Sequence, residues 1–138
     1  MPAPFVHLRV HSAYSLAEST LRLKSIVALA GGDSQPAVAI TDTNNMFGAL
    51  EFSAKMRESG VQPIIGLECI IGDSRGRGEV VLLAQSEAGY EALCRHNSRA
   101  LLEVEGGDDP VIRLESLAGD AEGLILLTGG AAQGFVGA

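Results

Sequence analysis

Two histidines and an arginine alternate near the start of the chain, where they could form part of a metal site. His7, Arg9 and His11 occupy every second position of FVHLRVHS, so in an extended strand they share one face. A His-x-His pair on a strand often holds a metal ion, because two neutral imidazoles converge on one point. Arginine is a permanent cation and not a ligand. The stretch is therefore a metal site, the remains of one, or an ordinary strand with a polar outer face.

Other polar side chains follow or end three further predicted strands. Asp42 to Asn45 come after PAVAIT, Glu68 lies late in VQPIIGLECII, and Thr128-Gly129 end GLILLTGG. In parallel α/β folds, the residues that perform chemistry collect at the carboxyl ends of the strands. We therefore expect these residues and His11-Ser12 to lie at one edge of the sheet.

Strand-like and helix-like segments alternate along the whole chain. The predicted strands are FVHLRV, PAVAIT, VQPIIGLECII, EVVLLAQ and GLILLTGG. The predicted helices are TLRLKSIVALA after a Ser19-Thr20 cap, NNMFGALEFSAKMRESG from Asn45 to Gly60, SEAGYEALCRHNSRALLE from Ser86, and LESLAG. This alternation predicts an α/β fold, with a mostly parallel sheet or barrel and helices on its outside.

The composition is that of a compact domain with its own core. The chain has 138 residues, of which 46% are hydrophobic and 20% charged, and its mean hydropathy is +0.22. Its apolar runs are too short to cross a bilayer, and MPAPFVHLRV lacks the basic start and apolar core of a signal peptide. We therefore expect a cytoplasmic protein that does not associate with membranes.

The charge and the cysteines exclude two further classes of site. The net charge is −7, and the sequence contains no cluster of lysines and arginines, so this stretch is a poor candidate for a DNA-binding surface. Cys69 and Cys94 lack the spacing of a zinc motif or a disulfide framework and are expected to be buried, reduced thiols. His96 lies in a predicted helix away from the strand ends, and we expect it at the surface or partly packed.

Five segments together resemble a known family. In their order, HLRVHSAYS, AITDTNNMFGALEF, GVQPIIGLECII, GYEALCRHNSRALL and EGLILLTGG resemble the polymerase-and-histidinol-phosphatase (PHP) domain at the amino terminus of bacterial DNA polymerase III alpha subunits. The resemblance covers nearly the whole chain. It implies a distorted (β/α) barrel, of which residues 1–138 would be the truncated amino-terminal portion, with the rest of the domain and the polymerase modules following.

The resemblance also implies a degraded metal cluster. Family members with an intact site have His-x-His at positions 9 and 11 and commonly Thr-Asp-His-Gly-Asn at positions 41–45, where this chain has Thr-Asp-Thr-Asn-Asn. Glu68 keeps the metal-binding glutamate of the family, whereas Glu18-Ser19 replaces a frequent Asp-Gly. The vestigial positions would be His7, Arg9, His11, Asp42, Thr43 and Glu68, and we expect no bound metal.

Arg9 could supply the positive charge that metal ions provide in an intact site. A guanidinium binds a carboxylate through two parallel hydrogen bonds, so Arg9 is expected to pair with Asp42 or Glu68. We expect the stretch HLRVHS to be the remains of a metal site.

The function implied by the resemblance is that of one part of a replicative DNA-directed DNA polymerase. The parent nucleotidyltransferase would use magnesium in an active site outside this chain, which itself would hold no catalytic residue and no cofactor. The PHP segment would be a scaffold and docking site for other subunits of DNA polymerase III, in particular the proofreading exonuclease, while other domains bind DNA.

Two other interpretations of the chain remain open, and truncation would also affect how the chain behaves in isolation. It could belong to a stand-alone, metal-dependent phosphoesterase of the PHP family, or it could be an α/β binding module that is similar in fold alone. If the chain is a truncated barrel, its last strand, GLILLTGG, leaves an unpaired edge, and the fragment is expected to self-associate.

Overall fold

A computed structural model describes residues 5–129 and 134–135 of the chain. The elements within these residues are α1 (Leu23–Gly32), β1 (Ala37–Ile40), α2 (Ala49–Glu58), β2 (Gln62–Asp73), β3 (Gly76–Ala84), α3 (Glu87–Glu103), β4 (Val111–Arg113), α4 (Leu114–Gly119) and β5 (Leu124–Leu127). None of the helices that the structure describes is long and apolar enough to span a membrane.

The long strand β2 is the centre of a five-stranded mixed sheet. β1 runs parallel to its first four residues and β4 runs parallel to Ile70–Gly72, while β3 pairs antiparallel along its second half. β5 then pairs antiparallel with β3. The predicted α/β class is confirmed. The β2–β3 hairpin makes the sheet mixed because GDSRGRG turns the chain back on itself, with the Asp73 carboxylate accepting a hydrogen bond from the backbone N–H of Arg75 at 2.8 Å.

The predicted first strand is an extended segment that joins the sheet at only a few points. His7 forms an isolated parallel bridge with Val38, and its carbonyl accepts from the N–H of Ala39 at 2.8 Å. The Val10 carbonyl accepts from the N–H of Thr41 at 2.8 Å, and the Thr41 hydroxyl accepts from the N–H of Val10 at 3.0 Å. The prediction of a full strand was wrong, although these bonds hold the segment beside β1.

Two predicted helix starts were also wrong, because the predicted caps bond elsewhere. α1 begins at Leu23, since the Ser19 hydroxyl donates to the carbonyl of His11 at 3.0 Å and accepts from the N–H of Leu21 at 3.1 Å. α2 begins at Ala49, since the Asn45 side chain accepts from the N–H of Phe47 in the preceding turn.

The end of α2 and the start of α3 agree with the sequence. Gly60 adopts φ of +73°, its N–H binds the carbonyl of Arg57, and the N–H of Val61 binds the carbonyl of Met56. This pattern is a Schellman motif, in which a left-handed residue ends the helix and glycine bears the least strain. At α3 the Ser86 hydroxyl caps the helix by accepting from the N–H of Gly89 at 3.2 Å, in agreement with a helix predicted from Ser86.

Helices cover the outer face of the sheet in two apolar clusters. α1 and α2 pack Leu23, Ile26, Phe52 and Met56 against β1, and α3 and α4 pack against β2 and β3. Cys69 belongs to the second cluster, and burial raises the pKa of its thiol to about 12. Its predicted burial is confirmed, whereas Cys94 is only half-buried, and both cysteines are free.

The buried face of α3 differs from the predicted one. By the helical period of the sequence, Tyr90, Leu93, Cys94, Asn97, Ala100 and Leu101 are expected on one apolar face. Tyr90 and Leu101 are instead 39% and 44% exposed, whereas His96 is buried. Gly89 and Ala92 are buried in this helix, and Gly89 lets α3 lie close to the loop before β5, because a Cβ there would meet the carbonyl oxygen of Gly123. The expectation that His96 would lie at the surface or be partly packed was wrong, since its side chain is buried.

The last strand, β5, leaves apolar side chains in contact with solvent. Ile125 and Leu126 are 44% and 39% exposed, while β3 pairs with one edge of β5. Self-association through this strand stays a prediction, and the end of GLILLTGG at Gly130 lies outside the described residues.

Close packing below the sheet edge makes Gly66 sensitive to substitution. A Cβ at Gly66 would lie 2.7 Å from the carbonyl oxygen of Leu82 and 2.9 Å from the methyl carbon of Thr41. We expect Gly66→Ala to lower the free energy of unfolding by about 1–3 kcal/mol, because this contact forces the backbone apart. Urea denaturation of the purified protein measures the change.

Gly31→Ala is the matched control for this substitution. Gly31 lies in α1 and has open space around its Cα, so alanine should leave stability unchanged or raise it by up to about 1 kcal/mol. Equal stability of Gly66→Ala and the wild type would contradict the packing described at β2.

Candidate functional site at Glu68

The backbone brings three segments together around Glu68. After β1, the chain continues along the edge of β2, where the N–H of Glu68 donates to the carbonyl of Asp42 at 3.0 Å. The N–H of Asn44 in turn donates to the carbonyl of Glu68 at 2.9 Å, and Asn44 adopts the left-handed φ of +56° that this turn requires. Asparagine tolerates this conformation better than most residues, which explains why it can stand where the family has glycine.

The Glu68 carboxylate forms a two-pronged ion pair with Arg9. The Nε of Arg9 donates to Oε2 at 2.7 Å, and its Nη2 donates to Oε1 at 2.7 Å. Glu68 is only 5% exposed, whereas about half of the Arg9 side chain remains exposed. Of the two partners expected for Arg9, Asp42 and Glu68, the structure selects Glu68.

His11 completes the surroundings of the same carboxylate. Its Nε2 lies 2.6 Å from Oε2 of Glu68, and its Nδ1 lies 3.3 Å from a carboxylate oxygen of Glu18. The Thr43 hydroxyl donates to that same Glu18 oxygen at 2.6 Å. Three of the vestigial positions, Arg9, His11 and Thr43, are therefore linked to Glu68 directly or through Glu18.

Sequence reasoning missed two carboxylates at this site. The sequence shows Glu18 only as a difference from the family pattern, and it does not single out Glu79. The Glu79 carboxylate lies 3.7 Å from Nη2 of Arg9. The available signal was register: in the antiparallel β2–β3 pair, Glu68 faces Val81, so Glu79 lies on the same face of the sheet two residues further along.

The hydrogen bonds keep the pair in its charged form. Burial alone would raise the pKa of the Glu68 carboxyl, but the hydrogen bonds from Arg9 and His11 outweigh burial and hold that pKa below its usual range. The hydrogen bond to Glu68 raises the pKa of the Arg9 guanidinium. The carboxylate therefore stays ionised at neutral pH.

Asp42 belongs to a separate network beside the Arg9–Glu68 pair. It is buried and accepts from the N–H of Ser12 at 2.7 Å, from the Ser12 hydroxyl at 2.7 Å and from the Ser15 hydroxyl at 2.6 Å. The Ser15 hydroxyl accepts from the N–H of Thr43 at 3.0 Å. Asp42 thus anchors the loop that follows His11.

The structure separates two predicted positions from this cluster. The His7 side chain is exposed and lies edge-on to the ring of Phe5, with 4.7 Å between ring centroids. Gly129 lies against β3, where a Cβ would meet the carbonyl oxygen of Glu79 at 2.8 Å. The residues at the first three strand ends, His11, Asp42 and Glu68, therefore lie together as expected. Gly129 packs against the backbone of Glu79.

The donor set as arranged does not fit a metal cluster. Both oxygens of Glu68 accept hydrogen bonds from Arg9 or His11, and both oxygens of Asp42 accept from serines. A cation bound to Glu68 would also meet the fixed charge of Arg9 within a few ångströms. Among the residues that the structure describes, no group of three or more His, Cys, Asp and Glu side chains is placed to hold a metal ion.

The fold is similar to that of a solved structure. The structure of a putative metal-dependent phosphoesterase from Bifidobacterium adolescentis matches with a TM-score of 0.55 and 19% identity, covering 73% of this chain and 36% of that one. At this identity the match concerns the fold alone, which is of the α/β class.

The family follows from the sequence comparisons. The PHP domain model matches residues 7–138, and the chain belongs to the PHP domain family. The DNA polymerase III subunit alpha of Caulobacter vibrioides is 42% identical over 134 residues, covering 91% of this chain and 12% of that protein. The same subunit of Pseudomonas fluorescens is 35% identical over 140 residues, covering 99% and 12%. The chain thus spans about one eighth of the length of these relatives.

The Arg9–Glu68 pair should contribute measurably to stability. Arg9→Met removes both charged hydrogen bonds and leaves a buried carboxylate with His11 alone. We expect the free energy of unfolding to fall by about 1–2 kcal/mol. This loss lies between those typical of exposed and of buried charged pairs, because about half of the Arg9 side chain is exposed. Chemical denaturation at neutral pH measures this loss.

Arg75→Met is the matched control for Arg9→Met. Arg75 also pairs with a carboxylate, since its Nε and Nη2 donate to one oxygen of Asp73 at 3.0 and 2.6 Å, but this pair lies in an exposed turn. Water stabilises the separated charges there, so we expect no measurable loss. If Arg9→Met were as stable as Arg75→Met, the Glu68 pair would have no special role.

Proposed function

We propose that this chain is the amino-terminal portion of the PHP domain of a replicative DNA polymerase alpha subunit, and that it acts as a non-catalytic scaffold. The identity of 42% to the Caulobacter subunit over 91% of the chain supports the first statement. The Arg9–Glu68 ion pair supports the non-catalytic scaffold role, because a guanidinium lies where metal-binding PHP domains have a histidine.

The polymerase chemistry would take place in another domain of the parent protein. Nucleotidyl transfer would use carboxylate-bound magnesium ions in a palm domain outside this chain. DNA would be bound by those other domains, in agreement with the net charge of −7 here. This chain would contribute packing within the PHP domain and contacts to other subunits.

Primer extension by the intact protein tests the proposed parent activity. The protein should extend a primed DNA template with deoxynucleotides and Mg²⁺, and Glu68→Gln should extend it at the wild-type rate per folded molecule. Absence of extension would contradict the assignment to a polymerase. Loss of extension in a folded Glu68→Gln variant would contradict the scaffold role.

The proofreading exonuclease subunit is the partner that we propose for the complete PHP domain. A domain without its own metal-dependent exonuclease site would need a separate 3′-to-5′ exonuclease beside the polymerase. Pull-down of that subunit by the intact protein tests this docking. Absence of a complex at micromolar concentrations would count against it.

The proposed loss of the metal site has a direct test in metal content. The wild-type protein, purified without chelator and dialysed, should hold manganese, iron and zinc only below one ion per chain. Arg9→His with Thr43→His restores two ligands and removes the competing cation, so this variant should gain metal. Elemental analysis by mass spectrometry measures both proteins.

Arg75→His controls for a histidine that is simply added beside a carboxylate. It lies next to Asp73 in the exposed turn and should gain no stoichiometric metal. One or more tightly bound ions per wild-type chain would show that the site is alive and that Arg9 does not block it.

The second candidate is a stand-alone PHP phosphoesterase, supported by the likeness in fold to a putative metal-dependent phosphoesterase. This activity would require a metal-activated water at the Glu68 site. Hydrolysis of p-nitrophenyl phosphate with Mn²⁺, abolished by Glu68→Gln in a folded protein, would favour this candidate over the scaffold.

A further inference from the structure

Two adjoining cavities lie between α3, α4 and the β2–β3 hairpin, away from the Glu68 site. Their volumes are about 470 and 680 Å³, and Arg113 and Glu115 line both of them. The two cavities adjoin at these two residues, and we name the surface that they form together the arginine groove.

The arginine groove concentrates positive charge on an acidic chain. Five of the ten basic residues line it, as do three of the seventeen acidic ones. The basic residues are Arg75, Arg77, Arg95, Arg99 and Arg113. They come from a hairpin, a helix and a short strand, so the sequence does not show them as a cluster. The groove is therefore positive, although the chain carries a net charge of −7.

Carboxylates of the chain already occupy some of these guanidinium groups. Arg95 binds Asp120 through two hydrogen bonds of 2.9 Å, and Arg113 reaches Glu103 through one of 3.3 Å. Both pairs are well exposed, so each contributes little stability and exchanges readily with another carboxylate. Within the described residues, Arg99 makes no ion pair.

The floor of the groove is fixed by the buried His96. Its Nε2 lies 2.7 Å from the carbonyl oxygen of Asp120 and must donate, because a carbonyl can only accept. This bond and the Arg95 pair hold Asp120 in place from two sides. The end of the groove beside His96 therefore has a defined backbone position.

We propose that the arginine groove binds an acidic peptide segment of a partner protein. Guanidinium groups at separate points suit carboxylates, and Arg95 already binds both oxygens of Asp120 in the two-pronged geometry. A nucleic acid fits less well, since the lining of the two cavities contains no Phe, Tyr or Trp ring for stacking and the chain as a whole repels a polyanion.

Fluorescence anisotropy with the intact protein tests this proposal. The probe is a labelled octapeptide of alternating glutamate and glycine, with an alternating lysine–glycine peptide as the charge control. Arg99→Glu and Arg113→Gln should each weaken binding of the acidic probe by about tenfold, which is the effect of losing one charged hydrogen-bonding group. Both residues are exposed, so these variants should fold, and circular dichroism confirms it.

Arg57→Glu is the matched control, because Arg57 is an exposed arginine at the end of α2, outside the groove. It should bind the acidic probe as tightly as the wild type. Equal loss in Arg57→Glu, or no loss in the groove variants, would overturn the proposal. A labelled single-stranded oligonucleotide that binds more tightly than the peptide, and loses affinity in Arg99→Glu, would assign the groove to nucleic acid and also overturn it.

Discussion

The ion pair between Arg9 and Glu68 is the interaction on which the arrangement of the site depends. A carboxylate that is 5% exposed must find a counter-charge, and Arg9 and His11 provide it. The backbone of the same glutamate holds Asp42 and Asn44. One residue of β2 thus joins the extended segment before His11 and the turn after β1, two parts of the chain with few backbone bonds of their own.

Two carboxylates that could have shared metal ions instead serve separate structural networks. The Glu68 oxygens accept from Arg9 and His11, and the Asp42 oxygens accept from Ser12 and Ser15. Each acceptor is satisfied by donors of the chain, so neither carboxylate needs an ion for stability. Donors of the chain itself therefore hold this edge of the sheet together at Glu68 and Asp42.

Much of the fold was predictable because local signals and burial agree. The strand-end rule placed His11, Asp42 and Glu68 at one edge, and Gly60 and Ser86 bound their helices as expected. The failures have common physical causes. The three-residue β4 is too short to show periodicity, and predicted helix caps were drawn into other turns. The arginine groove depends on tertiary proximity, which an unaligned sequence does not carry.

The pKa of the Glu68 carboxyl tests the central claim most directly. Carbon-13 NMR of the carboxyl signal, assigned with Glu68→Gln, should give a pKa below the ordinary glutamate value of 4.5, with no change on adding stoichiometric Zn²⁺. The pKa of Glu68 is lower in the folded than in the unfolded chain, so the ionised carboxylate stabilises the fold at pH values above its ordinary pKa. This stabilisation is lost as the pH falls through the pKa of the folded chain. A pKa at or above 4.5, or a carboxyl signal that moves with Zn²⁺, would contradict the account.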